Sequence, residues 1–210
     1  LALVLTFSRG AWLLGVPAGL LALGWARGRR MRRVAVAVVA VGVLVMVPLA
    51  GVARFASLFN LSQGTGFLRV SLWQAAWDMG KDHPWLGVGL DNFLYYYGDY
   101  IRPGAEVDRW LSHPHDLFLD FWLRLGIGGL VLMVALLALF GVRAWRQYRA
   151  LPDGDLRAVT LGLMAGMVAC VAHGLIDASY FVTELAFWFM FALAWAANTA
   201  FDGTPRIQLY

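Results

Sequence analysis

The chain has 210 residues, 60% of them hydrophobic and only 14% charged. Soluble domains carry roughly 25% charged residues, so this composition excludes a soluble globular domain and a disordered chain and indicates a protein embedded in lipid. The formal net charge is +4, and sixteen of the seventeen basic residues are arginines. They cluster between apolar runs rather than on a nucleic-acid-binding face, so membrane lipids are expected as surroundings and nucleic acid is not expected as a partner.

The single cysteine, Cys170, lies inside an apolar run, which leaves no disulfide framework and no multi-cysteine metal site. The chain opens on Leu1 without a signal-peptide basic region and reads as the C-terminal portion of a longer polytopic protein.

In chain order, Leu1 to Phe7 are too short to span a bilayer and read as the end of an upstream helix, with Ser8-Arg9-Gly10 as the break. A bilayer core of about 30 Å needs about 20 mostly apolar residues per spanning helix. The stretches near 8–26, 34–53, 117–142, 158–176 and 185–201 meet that length. Their apolar runs are continuous and lack period-two alternation, which predicts helices and not barrel strands. The expected fold class is all-α: a polytopic transmembrane helical bundle forming a single domain over 1–210.

Arginine sets the expected orientation. Arg27, Arg29, Arg30, Arg32 and Arg33 occupy one short connection, and Arg143, Arg146, Arg149 and Arg157 another. Both are expected to be cytoplasmic loops. Residues 54–116 then form a large extracytoplasmic loop, the turn Asp177 to Glu184 is also outside, and Arg9 sits at the outer surface.

Within the large loop, Phe67 to Met79 predicts a helix with Trp73 and Trp77 on one interfacial face. His83-Pro84 ends it, Gly87-Val88-Gly89 is a turn, Asp91 to Tyr100 a second short helix, and Pro103-Gly104 another turn.

Polar chemistry gathers at the outer ends of the spans. His173 and Asp177 are four residues apart on an expected helical face, as are Asp120 and Arg124. Arg9, Arg69 and the run His113-Pro114-His115-Asp116 lie at the same level. Arginine grips phosphate with a bidentate fork, and histidine accepts a proton near neutral pH. Two arginines beside a histidine at headgroup level suit a substrate carried on a lipid phosphate. The His113-x-His115 spacing also fits zinc on an extended segment, but no fourth ligand is evident, and no metal is expected. Asp116 is placed to cap the following helix.

Four segments carry a family resemblance. They are Thr6-Phe7-Ser8-Arg9-Gly10-Ala11-Trp12, Arg69-Val70-Ser71-Leu72-Trp73-Gln74-Ala75-Ala76, His83 to Phe93 with Gly87 and Gly89, and His113 to Leu119 followed by Leu125-Gly126-Ile127-Gly128-Gly129-Leu130. In order, they resemble the O-antigen ligase and polymerase superfamily over positions 6 to about 130. One position departs: Asp116 stands where the family usually has Asn, and either raises the basicity of His115 or only caps the next helix.

The resemblance implies a GT-C-like glycosyltransferase in the cytoplasmic (inner) membrane, with its large loop outside. It implies metal-independent, inverting transfer without a cofactor. The donor would be a glycan on undecaprenyl pyrophosphate, and the acceptor a sugar hydroxyl on lipid A-core or on a second lipid-linked glycan. By position, Arg9 and Arg69 would hold the pyrophosphate and His115 would be the general base. His113, Asp116, Gly87 and Gly89 would support them. An O-antigen or exopolysaccharide polymerase is the neighbouring reading. A transporter, such as for inorganic carbon, is the reading from another class, against which the scarcity of ionisable groups within the spans weighs.

Overall fold

A computed structural model describes residue 8 and residues 10–46, 64–177 and 183–198. The described residues are helical with turns, and no strand occurs among them. Those of Leu1–Ala35, Val134–Ala172 and Ser179–Tyr210 cluster into one compact unit, and those of Val36–Met133 and His173–Ala178 into a second.

The expected break at Ser8 is a helix start. The Ser8 hydroxyl accepts the Ala11 N–H at 3.3 Å, and its carbonyl accepts the Trp12 N–H at 3.1 Å, as a capping serine does. The first turn, Ala11–Gly15, is wound as a π-helix and leads into α1, Val16–Ala26. Pro17 explains the wide turn, because its ring carries no N–H and crowds the carbonyl four residues back. Gly28, at φ 96°, turns the chain into α2, Arg29–Met46.

Next come α3, Gly64–Asp82, and α4, Phe93–Tyr100. They match the two expected loop helices, with α3 extended by three residues at each end. The turn at Pro103-Gly104 is present, with Gly104 at φ 86°. The last three helices are α5, Leu117–Ala150, α6, Asp155–Gly174, and α7, Thr183–Ala197. By length and composition α5 and α6 are able to cross a membrane, while Ala11–Ala26 and Thr183–Ala197 are shorter apolar helices. Residues 47–53 and 199–201 of two expected spans lie outside the described residues.

Three expectations are corrected. The second arginine cluster is not a loop: α5 continues through Arg143, Arg146 and Arg149 to Ala150, leaving only 151–154 as connection. The first cluster likewise becomes helical from Arg29. Arginine is a good helix former, so a span continues beyond its apolar part until Pro152 and Gly154 interrupt it. Finally, α6 ends at Gly174, so Asp177 lies in the turn beyond it and not on its helical face.

The first unit packs through small residues, as helices in lipid do. A Cβ on Gly19 would lie 3.2 Å from that of Ala169, and one on Gly166 would lie 2.8 Å from the Trp188 ring. The Trp195 indole donates to Thr160 Oγ1 at 2.9 Å, and Thr160 donates in turn to the Leu156 carbonyl at 2.9 Å.

The second unit has its own core. Leu72, Ala75, Ala76 and Met79 of α3 pack with Val88, Phe93, Tyr97 and Leu123. One device holds the 83–93 loop against α5. Gly126 takes φ 69° and ψ −171° and breaks that helix. In an unbroken helix the Ile127 N–H would bond the Leu123 carbonyl. Here Ile127 N–H donates to Pro84 O at 2.9 Å, and Leu123 O accepts from Val88 N–H at 2.7 Å. The loop therefore satisfies both halves of the broken helical bond, as buried backbone groups require. A side chain at Gly126 would meet the Trp85 carbonyl at 1.9 Å, and one at Gly87, φ 67°, would meet the Leu123 carbonyl at 2.2 Å.

Candidate functional site

The site lies within the second unit and draws on three segments: the first half of α3, the loop 111–116, and the turn 175–177 after α6. On α3, Arg69 and Trp73 are four residues apart and share a face. Arg69 donates through Nη1 to the Ile176 carbonyl. Trp73 donates through its indole N–H to the His115 carbonyl at 3.4 Å.

His115 itself adopts φ 51°, a left-handed conformation uncommon outside glycine. Its Nδ1 lies 2.9 Å from Asp177 Oδ1. With the carboxylate ionised, that hydrogen bond exists only if Nδ1 carries the proton, and in the neutral imidazole the lone pair is then on Nε2. The other Asp177 oxygen faces His173 Nε2 at 3.8 Å. The His115 and Asp177 side chains are 25% and 37% exposed, so the pair is reachable.

His113 packs edge-on against His115, with ring centroids 4.3 Å apart, and its Nδ1 is 3.0 Å from Ser112 Oγ. Burial, followed by the neighbouring His115, pushes His113 down to about 4, so it is neutral at physiological pH. Asp116 caps the helix that follows. Its Oδ1 accepts the Leu119 N–H at 2.8 Å, the expected cap of α5. Burial raises its carboxyl, partly offset by the Leu119 and Phe118 N–H groups.

Arg69, His113 and His115 are therefore gathered around one turn. Gly87 and Gly89 are not among them; they shape the loop that docks on α5. Arg9 lies outside the described residues. Asp177 is absent from the set expected on sequence. It lies 62 residues from His115 along the chain, so no local spacing marks the pairing. The only hint is a carboxylate just beyond the C-terminal end of an apolar helix.

Two neighbouring features frame the site. Arg124 is 7% exposed; it donates through Nε to Asp120 Oδ1 at 2.8 Å and through Nη1 to Asp91. A cavity of about 340 Å³ opens beside α3, lined by Trp73, Gln74, Trp77, Asp78 and Arg102 among others.

The described helices and their apolar surfaces define a helical membrane protein. The sequence profile of the O-antigen ligase family matches residues 1–134, more than half of the chain. The protein belongs to that family, whose members are glycosyltransferase-like enzymes of polysaccharide biosynthesis. No curated relative matches the chain.

Proposed function

We propose that the protein transfers a glycan from undecaprenyl pyrophosphate to a sugar hydroxyl on the outer side of the cytoplasmic membrane. The pairing of His115 Nδ1 with Asp177 at 2.9 Å carries this reading, because it leaves Nε2 as a proton acceptor. The acceptor hydroxyl gives its proton to His115 Nε2, and its oxygen attacks the anomeric carbon of the donor sugar. The bond from that carbon to the pyrophosphate oxygen breaks on the opposite face, which inverts the configuration. The pyrophosphate leaves with the electron pair, and Arg69, together with Arg9 by family position, stabilises the charge that develops. Pyrophosphate is a good leaving group, so no acid catalyst is required. No step in this sequence calls for a metal ion or a cofactor.

Asp177 acts through His115: it fixes the tautomer and stabilises the imidazolium that forms, the part an aspartate takes in hydrolase triads. His113 and Asp116 position the same loop, and Gly87 and Gly89 hold its scaffold. The open cavity with Trp73 and Trp77 offers an aromatic face with Asp78 and Arg102 at its rim, suited to the apolar face and hydroxyls of an acceptor sugar. The single domain over 1–210 and the extracytoplasmic 54–116 segment belong to the same proposal.

The test is transfer in reconstituted membranes from an undecaprenyl-pyrophosphate glycan. His115→Ala and Arg69→Ala proteins that insert normally are expected to lose transfer; full activity in either overturns the assignment. Offering lipid A-core and a second lipid-linked glycan as competing acceptors separates ligase from polymerase.

A further inference from the structure

His113, His115 and Asp177 each present a donor atom, and these atoms lie within 4.8 Å of one another. The three come from two segments far apart in sequence, and the fold holds both histidines. Ser112 Oγ steadies His113 through Nδ1 at 3.0 Å, an outer contact of the kind that orients ligating imidazoles. Trp73 holds the His115 carbonyl, and His115 keeps its left-handed backbone.

Two ligands on a tetrahedral zinc ion, at about 2.0–2.1 Å from the metal, are roughly 3.3 Å apart. The 2.9 Å between His115 Nδ1 and Asp177 Oδ1 is close to that spacing. The remaining donor has to close by roughly 1.5 Å, within the reach of side-chain torsions. Two imidazoles with one carboxylate favour zinc and its neighbours over magnesium or calcium, which take oxygen ligands.

We infer that His113, His115 and Asp177 form a site for a zinc-class divalent ion whose occupation silences His115 as a base. The inference rests on the role given to His115 above. The ion takes the place of the proton between His115 Nδ1 and Asp177 Oδ1. A neutral imidazole holds one proton, so metal at Nδ1 moves that proton, through solvent, to Nε2. Nε2 then donates a hydrogen bond and has no lone pair to accept the acceptor's proton. No proton is gained or lost overall, and removal of the ion restores the original tautomer.

The experiment titrates zinc chloride into the purified protein in nanodiscs and reads binding directly, by calorimetry and by competition with a chelating dye. One ion per chain is expected, with affinity falling more than about tenfold in His113→Ala and in Asp177→Asn. Cobalt bound to the unsubstituted protein is expected to show tetrahedral visible bands, a signature that does not depend on any variant folding. Transfer, scaled to each protein's own zinc-free rate, is expected to fall with occupancy in the unsubstituted protein and to recover with chelator. Absence of stoichiometric binding, or binding indifferent to both substitutions, overturns the site. Transfer that chelator abolishes and zinc restores overturns the silencing. The two readings fail separately. Zinc binding with a fully active His115→Ala protein overturns the base and hence the switch. Absence of zinc binding with an inactive His115→Ala protein overturns only the ion site.

Discussion

At the scale of single residues, the dyad of His115 and Asp177 has the clearest consequence. Asp177→Asn keeps the shape of the contact, but an amide N–H facing Nδ1 favours the tautomer with its proton on Nε2. Transfer is expected to slow by about 10²- to 10⁴-fold in kcat with little change in KM, measured with a fixed lipid-linked donor. A fall in KM-dependent binding alone would mean that Asp177 contacts substrate instead. Arg124 gives a prediction about stability. It is 7% exposed and neutralises Asp120, which is 1% exposed. Removing one partner of a buried ion pair strands the other charge, so Arg124→Met is expected to cost about 3–5 kcal/mol. Thermal unfolding in nanodiscs reads this, and the double change Arg124→Met with Asp120→Leu is expected to recover most of the loss.

At the scale of elements, the break in α5 couples two sequence segments that each look unremarkable alone. Gly126 needs a positive φ and has a backbone carbonyl where a Cβ would go. Gly126→Ala is therefore expected to expel the 84–88 loop or destabilise the unit by several kcal/mol, about 3 or more. Gly128, two residues on, has open space around its missing Cβ. Gly128→Ala is expected to be neutral or stabilising by up to about 1 kcal/mol. A similar drop in unfolding temperature for both would refute the bridging bonds from Pro84 and Val88. The sequence showed the glycines and the turn at 87–89. It did not show that the turn completes the hydrogen bonds of a helix more than thirty residues downstream, because that pairing depends on the packing of α3 against α5.

At the scale of the whole molecule, the arginine distribution predicts which ends face the cytoplasm. Helical continuation through Arg143 to Arg149 leaves that prediction intact, since the charges remain at the end of an apolar span. In a Cys170→Ala background, a cysteine replacing exposed Val107 is expected to react with an impermeant maleimide in intact cells. A cysteine replacing Gly154, exposed in the 151–154 connection, is expected to react only after permeabilisation. Labelling of both from outside would reverse or refute the orientation.

The sequence by itself determined the membrane setting, the apolar helices, the family segments, the turns at Gly87, Gly89 and Gly104, and the cap at Asp116. These are local or compositional properties: span length, backbone freedom and a side chain reaching three residues ahead all act within a few turns of chain. Tertiary structure alone decided that Asp177 meets His115, that Trp73 holds the His115 carbonyl, that Arg69 bonds to the Ile176 carbonyl, and that the 83–93 loop completes α5 at its break. Each of those contacts joins residues brought together by helix packing, whose geometry depends on many side chains at once and leaves no spacing in the chain to read.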